Sequence, residues 1–120
     1  MKLAKETGNE GEELACKFLQ KEGYEVLDRN WRNAKLELDI VALDENFLVV
    51  VEVKTRSTGK FGPAQEFLSR RQQNRIIKAA HEYILEKDLD LEVRFDVIGI
   101  TGLNGTTEII HFKDAFYPGV

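Results

Sequence analysis

Three charged side chains, those of Asp39, Glu52 and Lys54, lie at spacings that would bring them together if the chain between them folds as a hairpin. A two-residue turn at residues 45–46 would pair residues whose numbers sum to 91. Asp39 would then face Glu52, and Glu37 would face Lys54. Because strand side chains alternate between faces, all four charged groups would lie on one face of the sheet.

The opposite face of this hairpin is apolar, which predicts that it covers a hydrophobic core. An acidic cluster at the end of otherwise apolar strands is informative, because burying or crowding those charges costs free energy unless something compensates them. The predicted pairs of the apolar face are Ala42 with Val49, Ile40 with Val51, and Leu38 with Val53.

The side chains of this cluster suit metal-assisted hydrolysis. Oxygen ligands from Asp39 and Glu52, with the main-chain carbonyl of Val53, are of the kind that Mg²⁺ or Mn²⁺ prefers. The ammonium group of Lys54 would orient an attacking water or neutralise charge that develops on a phosphate. The sequence therefore predicts a Mg²⁺ or Mn²⁺ cofactor and phosphodiester hydrolysis, with Glu37 at the margin of the site.

A fourth acidic residue, Glu12, shares the inward stripe of the first predicted helix with Ala15 and Leu19. It could hold the metal or a water bound to it, or it could simply interact favourably with the helix N-terminus. The Gly8 and Gly11 pair predicts a close approach of this helix to the sheet.

Hydrophobic periodicity predicts two helices and five strands. The first helix covers residues 7–22, with Thr7 and Glu10 as a capping box and Gly23 after its end. Ser69 is predicted to cap the second helix. The predicted strands cover residues 24–30, 36–43, 47–54, 91–100 and 107–112, and residues 55–64 are predicted to form a loop. This α-β-β-β-α-β-β order predicts an α/β fold, a single domain over residues 1–120 with helices on both faces of a central mixed sheet.

The charge distribution bears on possible partners. The 120 residues carry 17 basic and 21 acidic side chains, and the net charge of −4 argues against a uniformly basic nucleic-acid binder. Residues 54–78 nevertheless carry seven basic residues against one acidic residue, a net charge of +6. This stretch predicts contacts with a phosphate backbone, with a solvated helix face as the alternative. The candidates are Arg56, Lys60, Arg70, Arg71 and Arg75, and Gln72 could contact DNA or a metal-bound water.

Other features exclude several classes of protein. A single cysteine, Cys16, allows neither an intrachain disulfide nor a zinc site made of cysteines. The first residues lack the apolar segment of a secretory signal, and no apolar run is long enough to span a membrane, so we predict a cytoplasmic protein without a membrane partner. Arg94 and Asp96, two residues apart, predict a structural ion pair. Trp31 could stack on bases, although packing is the commoner role.

Together these residues resemble the PD-(D/E)xK nuclease core, and the whole chain resembles the YraN-like family of uncharacterised proteins. The arrangement is also similar to that of archaeal Holliday-junction resolvases, which share the early helix glutamate. The family usually has a glycine where this chain has Leu36. The stretches that carry the resemblance are Gly8-Asn9-Glu10-Gly11-Glu12, Asn30-Trp31-Arg32, Glu37-Leu38-Asp39-Ile40, Val51-Glu52-Val53-Lys54-Thr55-Arg56, Phe61-Gly62 and Arg94-Phe95-Asp96-Val97.

The resemblance implies a restriction-endonuclease-like fold and an endonuclease that acts on structured or branched DNA, with a homodimer as its assembly. It implies that Asp39 and Glu52 hold the metal, that Lys54 assists the water or the transition state, and that Glu12 completes the acidic site. Two other classes remain open at this point: a nucleic-acid-binding module that keeps the fold without catalysis, and a protein-interaction domain.

Overall fold

The computed structural model describes residues 4–56, 68–102 and 105–118, with side chains from residue 10 onwards. Its elements follow the predicted α-β-β-β-α-β-β order. Lys60, Phe61 and Gly62 lie outside the described residues. The elements are α1 (Ala4–Lys21), β1 (Glu25–Asn33), β2 (Leu36–Asp44), β3 (Phe47–Arg56), α2 (Arg70–Lys87), β4 (Glu92–Thr101) and β5 (Glu108–Phe116).

The five strands form one sheet in the order β1-β2-β3-β4-β5. Only the central pair, β3 and β4, is parallel, and the other three pairs are antiparallel, so the predicted mixed sheet is confirmed. A parallel pair needs a crossover connection, and α2 lies within it. The architecture is consistent with a restriction-endonuclease-like fold.

Each face of the sheet carries its own hydrophobic core beneath one helix. The α1 face joins Ala15, Cys16 and Leu19 to Ile40, Val51 and further strand residues. The α2 face joins buried helix residues, among them Ile76, Ala80 and Tyr83, to Leu38, Val41, Val50 and Phe95. β3 is therefore buried on both faces, as its nearly continuous apolar sequence predicts. Neither described helix is apolar enough along its length to cross a membrane.

The ends of α1 show one correct and one wrong prediction. Gly23, at φ +92°, follows the helix and donates to the Gln20 carbonyl, while the Tyr24 amide donates to that of Leu19, which together make a Schellman motif. The helix begins at Ala4 rather than at residue 7. Thr7 therefore lies within the helix and cannot be its N-cap, because a cap residue has a non-helical backbone.

The start of α2 confirms the predicted cap at Ser69. The Ser69 hydroxyl accepts from the Gln72 amide at 3.1 Å, and the Gln72 side chain accepts from the Ser69 amide at 2.9 Å, which completes a capping box. Basic residues Arg70 and Arg71 follow directly, so the first turn has no acidic side chain to favour its dipole. The cap therefore fixes the residue at which α2 begins.

The β2–β3 hairpin has the predicted register over its first half. A turn at residues 45–46 pairs Asp44 with Phe47, and pairing continues to Ile40 opposite Val51. The predicted loop from residue 55 begins later, because β3 runs on to Arg56.

The strands separate beyond Ile40 and Val51, and the predicted pairing of Leu38 with Val53 is wrong. Leu38 packs in the α2-face core, whereas Val53 packs against the α1-face core. In β1, Asn30 has φ +51° and interrupts the pairing with β2 opposite Asp39. The alternation of side chains therefore breaks in β1 and β2 at this point, whereas it continues through β3.

Candidate active site

A cleft of about 150 Å³ lies where β2 and β3 separate, between these strands and the first turns of α2. Its lining brings together three predicted acidic residues, Glu37, Asp39 and Glu52, with three residues of α2. Because pairing stops at Ile40 and Val51, polar side chains rather than main-chain hydrogen bonds fill the space between the strands. The lining residues are Leu36, Glu37, Asp39, Glu52, Gln72, Arg75 and Ile76.

Asp39 bridges the separated strands. Its Oδ2 accepts a hydrogen bond from the Val53 amide at 2.9 Å, and its carboxyl group is also hydrogen-bonded to Glu52. This side chain thus replaces the ladder bond that the divergence of the strands removes. It also holds Asp39 and Glu52 side by side, as the sequence predicts, although their main chains are not paired.

The two carboxyl groups are placed where ionising both is costly. Burial, followed by the charge of Asp39, raises the pKa of Glu52 to about 8. Burial also raises the pKa of Asp39, although the hydrogen bond from the Val53 amide opposes the shift. The pair therefore retains a proton near neutral pH, and a divalent cation is the other species that can compensate two adjacent carboxylates.

Glu12 approaches this pair from the α1 side. It is only 9% exposed, and its Oε1 has no hydrogen-bond partner among the residues that the structure describes. Burial and the negative charge of Asp39 raise the pKa of Glu12, in that order. A buried carboxylate oxygen without a partner is costly, so a cation or an ordered water is expected beside it.

Gly11 is what permits this approach. A Cβ atom at position 11 would collide with Cγ2 of Thr55 on β3 and would also contact Ile100 and Val53. The absence of a side chain therefore lets α1 pack directly against β3. The prediction that a glycine draws the first helix close to the sheet holds at this position.

The donor set fits a hard divalent cation. Asp39 and Glu52 supply two carboxylates, and Mg²⁺ is commonly held by one or two carboxylates while its remaining positions are filled by water and substrate oxygens. Within the described residues, no three His, Cys, Asp or Glu side chains are grouped to hold a metal ion by themselves. The unpartnered oxygen of Glu12 is suited to a role through water.

Lys54 and Glu37 adjust the charge of the site. Lys54 is half-buried at the end of β3, and its positive charge opposes the rise in pKa of both Asp39 and Glu52. Glu37 adds negative charge from the cleft wall and pairs with Arg32 at 3.4 Å. Sequence reasoning missed Arg32 as this partner; the signal that could have found it is the β1–β2 register, in which Arg32 lies opposite Glu37.

The five predicted nucleic-acid-binding cations separate in space. Arg75 lines the cleft, and its Nη2 donates to the Lys35 carbonyl at 3.3 Å. Arg70 and Arg71 are exposed on the first turn of α2 and do not line the cleft. Arg56 is exposed at the end of β3, and Lys60 lies outside the described residues. Gln72 lines the cleft, but its side-chain oxygen is used in the capping box.

A second polar cluster, on the α1 face, confirms the predicted ion pair of Arg94 with Asp96. Asp96 is fully buried and accepts two hydrogen bonds from Arg94, at 2.8 and 2.9 Å, and one from the Asp114 amide. His111 lies 2.7 Å from the same carboxylate, so it belongs to this network rather than to the exposed surface. Burial alone would raise the pKa of Asp96, but the hydrogen bonds from His111, Arg94 and Asp114 outweigh it and lower that pKa.

Trp31 has the packing role rather than an exposed position suited to stacking on bases. Its ring meets that of Tyr83 edge-on at 5.4 Å, and its indole nitrogen donates to Glu86 at 2.9 Å. The residue is buried beneath α2. It therefore anchors the edge strand β1 to the helix that forms one wall of the cleft.

Sequence comparisons identify the family of this chain. The model of Uncharacterised protein family UPF0102 matches residues 11–100, which include Glu12 and the whole β2–β3 hairpin. A UPF0102 protein of Flavobacterium psychrophilum is 48% identical over 110 residues, with 92% of each chain covered. One from Bacteroides thetaiotaomicron is 45% identical over 113 residues, covering 94% of this chain and 93% of the relative.

A third relative, from Porphyromonas gingivalis, is 39% identical over 112 residues, covering 92% of this chain and 83% of its own. These names state no activity. The chain belongs to the uncharacterised protein family UPF0102, the YraN family, which is a member of the PD-(D/E)xK-like nuclease superfamily.

Proposed function

We propose that this protein is a metal-dependent endonuclease that hydrolyses phosphodiester bonds in DNA. The observation that carries the proposal is the hydrogen-bonded pair of Asp39 and Glu52 at the point where β2 and β3 separate, with Lys54 beside it. Membership of a nuclease-like superfamily supports the same chemistry.

Each residue of the site has a separate role in the proposed reaction. Asp39 and Glu52 hold Mg²⁺ or Mn²⁺, and the cation, when bound, supplies Lewis-acid activation of the phosphoryl group. Lys54 orients the attacking water and offsets negative charge that develops on the phosphate. Glu12, whose buried Oε1 has no partner within the described part of the chain, holds an ordered water at the inner side of the site. The Val53 amide keeps Asp39 in place.

The proposed substrate is structured or branched DNA, and the proposed assembly is a homodimer. Both follow from the similarity to archaeal Holliday-junction resolvases. The net charge of −4 supports weak general affinity for duplex DNA, so geometry and metal should matter more than bulk electrostatic attraction.

The test is cleavage of a four-way junction, a flap, a single strand and a plain duplex, each with Mg²⁺ or Mn²⁺. We expect Asp39→Asn and Lys54→Ala to reduce cleavage of the preferred substrate by about 100-fold or more. Glu92→Gln changes charge at an exposed position at the start of β4 and serves as the matched control. Activity that persists in both site variants would refute the assignment.

A second candidate function is a nucleic-acid-binding module without catalysis. It is favoured by one observation: the described residues contain no complete group of three metal-ligating side chains. Such a module would bind DNA with the same affinity in Mg²⁺ and in a chelator, would weaken steeply with salt, and would depend on Arg70 and Arg71 more than on Asp39.

A further inference from the structure

Of the predicted nucleic-acid-binding residues that the structure describes, Arg75 lines the acidic cleft, whereas Arg56, Arg70 and Arg71 do not. The sequence does not show this difference. Arg75 lies in the second turn of α2, whose start is ordered by the capping box at Ser69. Gln73 and Ile76, its neighbours along the helix, are buried and hold this segment against the sheet. Arg75 therefore projects from a rigid element, as a binding residue should.

Arg75 does not form an ion pair with the described acidic residues on the opposite side of the cleft. In the part of the chain that the structure describes, Glu37 forms an ion pair with Arg32, and the carboxyl groups of Asp39 and Glu52 are hydrogen-bonded to each other. Arg75 makes no ion pair within these residues. Its described bond is the one to the Lys35 carbonyl, whose length of 3.3 Å is beyond the usual range for such bonds.

The cleft, of about 150 Å³, has room for a phosphate group. The chemistry of its lining decides what it can bind. Carboxylates on the strand side would repel a phosphate unless a cation lay between them, whereas the guanidinium on the helix side would attract it. A guanidinium also matches two phosphate oxygens at once, which an ammonium group does not.

We propose that Arg75 binds the non-bridging oxygens of a backbone phosphate in the cleft. On binding, its hydrogen bond to the Lys35 carbonyl would break. The proposal rests on the proposed function only in taking this phosphate to belong to DNA. It makes Arg75 a substrate-binding residue, and it distinguishes Arg75 from Arg70 and Arg71, which lie outside the cleft.

The first experiment uses small probes, so that it does not depend on cleavage. Inorganic phosphate and thymidine 5′-monophosphate are titrated into the ¹⁵N-labelled full chain with Mg²⁺, and the side-chain Nε–H resonance of Arg75 is followed. We expect this resonance to shift on binding. Arg75→Gln should weaken affinity at least about tenfold, and Arg75→Lys should restore part of it. Lys113→Gln, an exposed change on β5, should have no effect.

Binding of both probes with wild-type affinity by Arg75→Gln would overturn the proposal. So would failure of the wild-type protein to bind either probe, because a phosphate site must accept free phosphate. The melting temperature of each variant is measured in parallel, since a merely structural role would lower it without selecting against phosphate.

The second experiment uses DNA and separates this proposal from the proposed function. We expect Arg75→Gln to raise KM for the preferred substrate and to lower the salt dependence of binding by about one ion. If no DNA is cleaved but phosphate binding requires Arg75, the nuclease proposal fails and this one stands. If DNA is cleaved with wild-type KM by Arg75→Gln, this proposal fails and the nuclease proposal stands.

Discussion

At the scale of single residues, the defining feature is a pair of carboxyl groups that cannot both ionise cheaply. Asp39 is held by the Val53 amide and bonded to Glu52, and burial raises the pKa of both groups. A divalent cation bound at this site would relieve a repulsion that the fold maintains, and this relief would contribute to the free energy of cation binding. The same pair should therefore make the metal-free protein sensitive to alkaline conditions.

We predict that the metal-free protein loses stability as pH rises. Glu52 titrates near 4.5 when unfolded and at about 8 when folded, so the folded state binds more protons between these values. The free energy of unfolding then falls across this window, by at most about 1.4 kcal/mol per pH unit for one proton. Chemical denaturation of the wild type and Glu52→Gln at pH 5 and pH 8 measures the effect.

In this comparison, Glu52→Gln should be the more stable protein at pH 8 and should lose most of the pH dependence. Mg²⁺ should stabilise the wild type more at pH 8 than at pH 6, because binding must displace the shared proton at the lower pH. An equal fall in stability in both proteins would show that other groups govern the pH dependence.

At the scale of elements, the site depends on how closely α1 lies against β3. Gly11 allows this contact, and the next residue, Glu12, is thereby brought to the acidic pair. A helix interior normally favours alanine over glycine by about 1 kcal/mol, so a glycine at this position is a local cost that the packing offsets.

We predict that Gly11→Ala destabilises the protein by about 1–3 kcal/mol despite the better helix propensity of alanine, because the new methyl group collides with Cγ2 of Thr55. Activity should fall as well, since Glu12 moves with the helix. The double variant Gly11→Ala with Thr55→Ser removes the colliding atom and should recover stability. No recovery in thermal melts would place the cost elsewhere.

The elements also show which parts of the fold follow from sequence. The β2–β3 register could be predicted because a two-residue turn fixes it and the apolar residues agree with it. Period-two counting puts Leu38 on the wrong face, because it assumes an unbroken strand. The left-handed Asn30 and the hydrogen bond from the Val53 amide to the Asp39 side chain break that assumption, and neither is encoded in the spacing of apolar residues.

At the scale of the whole molecule, polar groups are divided between the two faces of the sheet. The α2 face bears the open acidic cleft, whereas the α1 face bears the closed network of Asp96, Arg94 and His111. The spacing of Arg94 and Asp96 predicted their pairing. The third partner could not be predicted, because His111 comes from β5 through an irregular register around the left-handed Asp114.

We predict that Asp96→Asn costs about 3–5 kcal/mol of stability, because Arg94 would keep a buried charge without its main partner. DNA cleavage per folded molecule should be unchanged, since the network lies on the other face from the cleft. Urea denaturation measures the loss, and Lys113→Gln provides the exposed control. A change below about 1 kcal/mol would mean that Asp44 and Tyr24 suffice to hold Arg94.

The central parallel pair has a consequence for how the molecule acquires its site. Asp39 and Glu52 belong to strands joined by a two-residue turn, and hairpins of this kind form in roughly 1–10 μs. The parallel pair of β3 and β4 is separated in sequence by the whole α2 crossover. Its formation therefore costs more loop-closure entropy than that of the hairpin and should be slower. The acidic pair is therefore expected to assemble early during folding, before the helix that carries Arg75 closes the other wall of the cleft.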